Sequence, residues 1–195
     1  MFRLIKFYKI IRKPEKLSAY QKRLIGGVFE HGAFGIKKSE KKATSWYLKA
    51  AEEGDVHAMG LVGRNYFAGY QDGKQRITKQ IEALYWLTKG ARAGGRVAQA
   101  WLGYLYHNNG NATSADLKRA YYWYSQAAKQ GDPLAEFYLY EMYKFGDYVK
   151  KDDEKEIYYL KRSASRGFPL ALNYLSHYSS LNDLAEKVLG ENENE

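Results

Sequence analysis

Apolar and polar positions along this chain follow a helical period, and one arrangement of them occurs four times. Its clearest copy runs from Ala120 to Gly131, where Ala120, Trp123, Ala127 and Ala128 fall at i, i+3, i+7 and i+8, one face of an α-helix. The same spacing holds Ala43, Trp46, Ala50 and Ala51, then Ala83, Trp86, Gly90 and Ala91, and last Glu156, Tyr159, Ser163 and Ala164. A glycine closes each copy. Gly54, Gly94, Gly131 and Gly167 lie 40, 37 and 36 residues apart. Glycine suits the left-handed residue that ends a helix, and a period in this range marks an array of repeats.

A second apolar helix precedes each of these. Leu24, Ile25, Phe29 and Gly32 align with Leu61, Val62, Tyr66 and Gly69 at a shift of 37. Ala98, Leu102, Gly103 and Tyr106 begin the third pair, and Ala135, Leu139, Tyr140, Tyr143 and Gly146 the fourth. Pro169 to Tyr178 reads as a fifth first helix. Ser39 is an expected N-cap, and Asp152, Asp153 and Glu154 suit the positive end of a helix dipole. Tyr70 to Gln80 is expected as the longest loop, with Asp72-Gly73 as its turn signal. No helical pair buries its apolar face alone, whereas stacked pairs share a core. The expected architecture is an all-α solenoid of helix–turn–helix repeats, four full and a partial fifth, over residues 20–180. Residues 1–19 are expected as a basic amphipathic cap helix, and residues 181–195 as a C-terminal cap helix with a polar tail.

The motif Ala-x-x-x-Leu-Gly-x-x-Tyr-x-x-Gly, then Val-x-x-Asp, then Ala-x-x-Trp-x-x-x-Ala-Ala-x-x-Gly resembles the Sel-one-like repeat, a relative of the tetratricopeptide repeat. The likeness covers about residues 20–180. Tyr140 and Ser176 stand where the first helix has glycine, Asn109 where the loop has glycine, and Glu156 where the second helix has alanine. The resemblance implies a right-handed α-superhelix, a scaffold or adaptor that binds protein on its concave face. Bacterial members include regulators, host-interaction factors and immunity proteins encoded beside toxins. A dedicated cytoplasmic adaptor or toxin-neutralising immunity protein is the function this implies, with no enzyme activity, cofactor, metal or small-molecule substrate. The paired cysteines of one branch are missing, since the chain has no cysteine.

That lack also removes disulfides, thiolate metal sites and cysteine nucleophiles. Net charge changes the picture more. Residues 1–42 hold twelve Lys/Arg and three Asp/Glu, and the remainder balances, so the whole excess of +9 sits near the N-terminus. An anionic membrane surface met by residues 1–16 is therefore a second reading, preferred to nucleic acid. A solvated basic cap is the plainer alternative.

The chemistry to be found is sparse. His31, His57, His107 and His177 fall one to a repeat, and neighbouring helix axes lie about 8–10 Å apart, too far for two imidazoles on adjacent repeats to share a metal. No phosphate loop or His-Glu-x-x-His pattern occurs. Transferring tetratricopeptide geometry puts Glu30, His31, Arg64, Phe67, Tyr104, His107, Glu141, Lys144 and His177 on the inner face, where a protein partner would bind. Aromatic and Arg side chains are the ones that concentrate binding energy at interfaces.

Overall fold

The computed structural model of the protein describes residues 11–72, 75–108 and 110–177. Two compact units make up the chain, residues 1–102 and 103–195. Of the cap helix expected over residues 1–19, residues 1–10 lie outside the described residues, and the described part turns through a short 3-10 helix, Pro14–Lys16, before Ser18. The C-terminal segment 181–195 lies wholly outside them.

In the first unit, α1 (Ala19–His31) starts at a capping box. The Ser18 hydroxyl accepts from Gln21 N, and Gln21 Oε1 accepts from Ser18 N. It ends at Gly32, whose φ of 72° only glycine adopts freely. α2 (Glu40–Glu52) begins at Ser39, the cap expected from sequence. α3 (Val56–Ala68) is capped by Asp55, and α4 (Gln80–Arg92) completes the second repeat. Between α3 and α4 the structure departs from the sequence reading. The expected loop contains an antiparallel hairpin, β1 (Tyr70–Asp72) with β2 (Gln75–Ile77), pairing Tyr70 with Ile77. One of its anchors is long-range and the other is local. Gln71 N donates to Glu40 Oε2 at 2.8 Å, and the Arg76 guanidinium donates to the Ala68 carbonyl at 2.7 and 2.9 Å.

α5 (Arg96–His107) gives its first seven residues to the first unit and its last five to the second. The second unit continues with α6 (Ser114–Lys129), opened by a Thr113–Asp116 capping box, and α7 (Pro133–Phe145), with Asp132 as cap and proline in the first turn. α8 (Asp153–Ser165) follows, capped by Asp152. A further helical segment is described over residues 169–177.

The repeated alanines are fully buried. Ala43, Ala50, Ala58, Ala83, Ala98, Ala120, Ala127 and Ala135 are all at 0% exposure. Trp46 and Trp86 lie beside them, buried. Deeper still is the residue after each aromatic, namely Tyr47, Leu87, Tyr124 and Leu160, none above 2% exposed.

Candidate functional site

The first helices carry the residues singled out from sequence, and the two units treat them differently. In the first, α1 supplies Glu30, α2 Tyr47 and α3 Arg64. The Tyr47 hydroxyl donates to Glu30 Oε2 at 2.6 Å, and Arg64 forms an ion pair with the other carboxylate oxygen. Arg64 Nε also donates to Asn65 Oδ1 at 3.0 Å, and Asn65 Nδ2 to Thr44 Oγ1 at 3.0 Å. Burial and then the bond to Glu30 push the Tyr47 phenol well above its ordinary value. Glu30 and Arg64 thus satisfy each other and tie repeat one to repeat two. His31 is exposed, with Nε2 3.9 Å from Glu30. The Phe67 ring lies 6.2 Å from that of Trp101.

In the second unit Tyr104 and His107, from the end of α5, gather at α7, where Glu141 acts electrostatically on Tyr124 and Tyr138. Three residues outside the sequence-based set join them: Tyr124 of α6, Tyr138 of α7 and Asp147 just beyond it. His107 packs edge-on to Tyr124 at 6.0 Å and to Tyr138 at 5.7 Å, while Tyr124 and Tyr138 stack at 5.3 Å. Tyr104 meets Tyr138 edge-on at 5.3 Å. His107 Nε2 stands 3.9 Å from Asp147 Oδ2.

Two polar atoms inside this cluster, His107 Nδ1 and the Tyr124 hydroxyl, are buried without a hydrogen-bond partner. Burial lowers the His107 pKa from its ordinary value, with Asp147 opposing. Burial raises the Glu141 carboxyl, Asp147 raises it further, and Lys144 counters. Burial likewise drives Tyr124 and Tyr138 far up. The arrangement is a half-buried polar patch with aromatic walls, suited to hydrogen bonding. No group of three metal-ligating side chains forms among the described residues.

Lys144 and His177 turn elsewhere. Lys144 Nζ donates to the Tyr140 hydroxyl at 2.8 Å and lies over the rings of Tyr140, Phe145 and Tyr174. His177 is exposed, its Nδ1 2.8 Å from the Asn173 carbonyl. A signal for Tyr138 was present in the chain. It precedes Glu141 by three residues, as Trp101 precedes Tyr104, so the repeat itself marks that position as one turn along the same stripe.

The comparisons agree with this architecture. The Sel1 repeat model matches residues 24–55, 57–95, 96–132 and 133–168. Among solved structures, the chain is similar to c5321, a protective antigen of uropathogenic Escherichia coli displaying an SLR fold. The two are 28% identical over 80% of this chain and 32% of that one, with a TM-score of 0.67. It is also similar to a Sel1 repeat protein from Oxalobacter formigenes, 29% identical over 82% of this chain and 44% of that one, with a TM-score of 0.61. The chain therefore spans about a third of the first and under half of the second. The immunity protein Pa5087 from Pseudomonas aeruginosa shares the fold at 21% identity, over 87% of this chain and 60% of that one, with a TM-score of 0.56. No curated protein matches. Four consecutive repeats matched across most of its length show that the chain belongs to the Sel1 repeat family.

Proposed function

We propose that this protein binds a protein partner through the first-helix residues of its second unit, without catalysis, and that the partner is a toxin it neutralises. Sel1 repeat proteins are in general non-catalytic scaffolds for protein–protein interaction. One observation carries the site: His107 Nδ1 and the Tyr124 hydroxyl are buried and unpartnered beside the half-buried carboxyl of Glu141. Each such orphan costs about 1–3 kcal/mol. An array selected only to fold would place apolar groups there. Tyr104 and Tyr138 add amphipathic rings of the kind that anchor interfaces. The immunity reading is fold analogy with the Pseudomonas aeruginosa immunity protein.

The test is affinity capture from native lysate with the tagged chain, beside its Tyr104→Ala/Glu141→Ala variant. One dominant protein bound at least thirtyfold more weakly by the variant, about 2 kcal/mol, with folding intact, is the expected result. Equal recovery would refute the face. The captured protein is then assayed for toxicity with and without the chain, and a harmless partner would refute the immunity role.

A second reading, adhesion to an anionic membrane through residues 1–16, is favoured by the +9 confined to residues 1–42. Vesicle binding that falls steeply with salt and disappears on deleting residues 1–16 would support it. Among the described residues no helix is long and apolar enough to cross a membrane.

A further inference from the structure

The second helices bear a pocket that partner binding on the first helices leaves unused. In the second unit, α6, α8 and Tyr148 surround about 520 Å³, a volume ordinary for a small-molecule site. From α6 come Lys118, Tyr121, Tyr122, Ser125 and Lys129. They sit at i, i+3, i+4, i+7 and i+11, one stripe about 16 Å long at 1.5 Å per residue. Tyr159 and Arg162 of α8 complete the walls.

No carboxylate lines the pocket. Lys118 and Lys129 have no ion pair among the described residues. Arg162 shares the single carboxylate of Glu136 with Arg166, at 2.7 and 3.2 Å, so two guanidiniums meet one negative charge. The nearby acids Asp116 and Asp152 are held by Arg119 at 3.0 Å and Lys155 at 2.7 Å. The site therefore has a surplus of positive charge, with phenol and serine hydroxyls beside it.

Its ring faces are fixed in advance. Tyr148 is held at φ 66°, a left-handed conformation costly for a residue with a side chain. That backbone sets its ring 5.6 Å from Tyr121, whose hydroxyl is 3.0 Å from that of Tyr143. Tyr159 is stacked on Tyr143 at 5.8 Å. The repeat does not demand this chemistry. At a shift of 37 the same stripe on α4 reads Ile81, Leu84, Tyr85, Thr88 and Arg92, with Ile81 84% exposed.

We propose that this pocket binds a phosphate monoester whose molecule also bears an aromatic ring, the chemistry shared by a nucleoside monophosphate and a phosphotyrosine side chain. The lysines, Arg162 and the hydroxyls take the phosphate. The tyrosine faces take the ring by stacking.

Calorimetric titration of the full chain at low salt tests this with AMP, phosphotyrosine, adenosine and inorganic phosphate. AMP or phosphotyrosine binds at least tenfold more tightly than phosphate or adenosine. The tighter of the two identifies the source as a nucleotide or a phosphorylated protein. Lys118→Glu/Lys129→Glu weakens that binding at least tenfold, while Lys16→Glu/Lys37→Glu, an equal change of charge remote in sequence, leaves it unchanged. Tyr148→Gly weakens binding although glycine relieves its strained backbone, so its Tm does not fall. No binding of AMP or phosphotyrosine, equal binding of inorganic phosphate, or identical effects of the two double variants would each overturn the proposal.

Discussion

Gly103 of α5 lies against the ring of Tyr124 of α6, so closely that a Cβ on Gly103 would stand 2.7 Å from Tyr124 Cδ1. The same pairing joins Gly26 to Tyr47 and Gly63 to Leu87. In the fourth repeat Tyr140 takes the glycine's place, and the smaller Leu160 stands opposite it in sequence register and shares its buried cluster. The close approach that glycine permits therefore belongs to the first three pairs, and the fourth is a bulkier pair of two large side chains. Gly103→Ala is expected to cost about 1–3 kcal/mol by overpacking. Urea unfolding measures it. A cost below about 0.5 kcal/mol would mean that the helices part freely.

The Tyr124 hydroxyl at the end of that ring is buried and unpartnered. Tyr124→Phe keeps the ring and its stack on Tyr138 and removes the orphan. Because an unmade buried hydrogen bond costs about 1–3 kcal/mol, this variant should equal or exceed the wild type in stability. Under the proposed function it should also bind the partner less well. A stability loss above about 1 kcal/mol in the free protein would show that the hydroxyl already has a partner there.

Glu136 is fully buried between two guanidiniums that remain a third to a half exposed. The partners are unequal, because Arg162 and Arg166 can turn to water and Glu136 cannot. Arg162→Met/Arg166→Met strands a buried charge and should cost about 3–5 kcal/mol. Glu136→Leu should cost less than half of that. Denaturant midpoints of the two variants decide it, and equal losses would contradict the burial argument.

These relationships mark where sequence reading ends. Period, helix pairing, the cap at Ser39 and the acidic helix start at Asp152 were legible because each is local or repeats. The β1–β2 hairpin was not, since Tyr-Gln-Asp and Gln-Arg-Ile are too short for alternation to register, and Glu40 and Ala68 anchor them from outside the segment. Tyr104, His107 and Glu141 were legible as one stripe carried from repeat to repeat. Tyr124 and Asp147 reach that cluster from a second helix and a loop, which period alone cannot reveal. Nor could it foresee that Arg64 is satisfied by Glu30, a pairing across 34 residues.

The same cluster gives the protein two opposed pH dependences. Asp147, in the loop after α7, faces His107 and also acts on Glu141, while Tyr124 and Tyr138 pack on the His107 ring. Burial lowers the His107 pKa, so above the ordinary value of 6.5 neither state is protonated and its stabilising contribution is whole. As pH falls through 6.5 the unfolded chain takes up a proton that the folded protein refuses, and stability declines until the lowered folded value is passed. Glu141 runs the other way. Its raised folded value means that acidification protonates the folded state first, so stability is gained from that value down to about 4.5 and is lost again as pH rises. His107→Gln should therefore resist the loss seen below pH 6.5, and Glu141→Gln should gain most over the wild type at neutral pH. Urea midpoints taken from pH 8 to pH 4.5 test both signs. Curves for wild type and His107→Gln that stay parallel through pH 6 would show that His107 titrates as if in water.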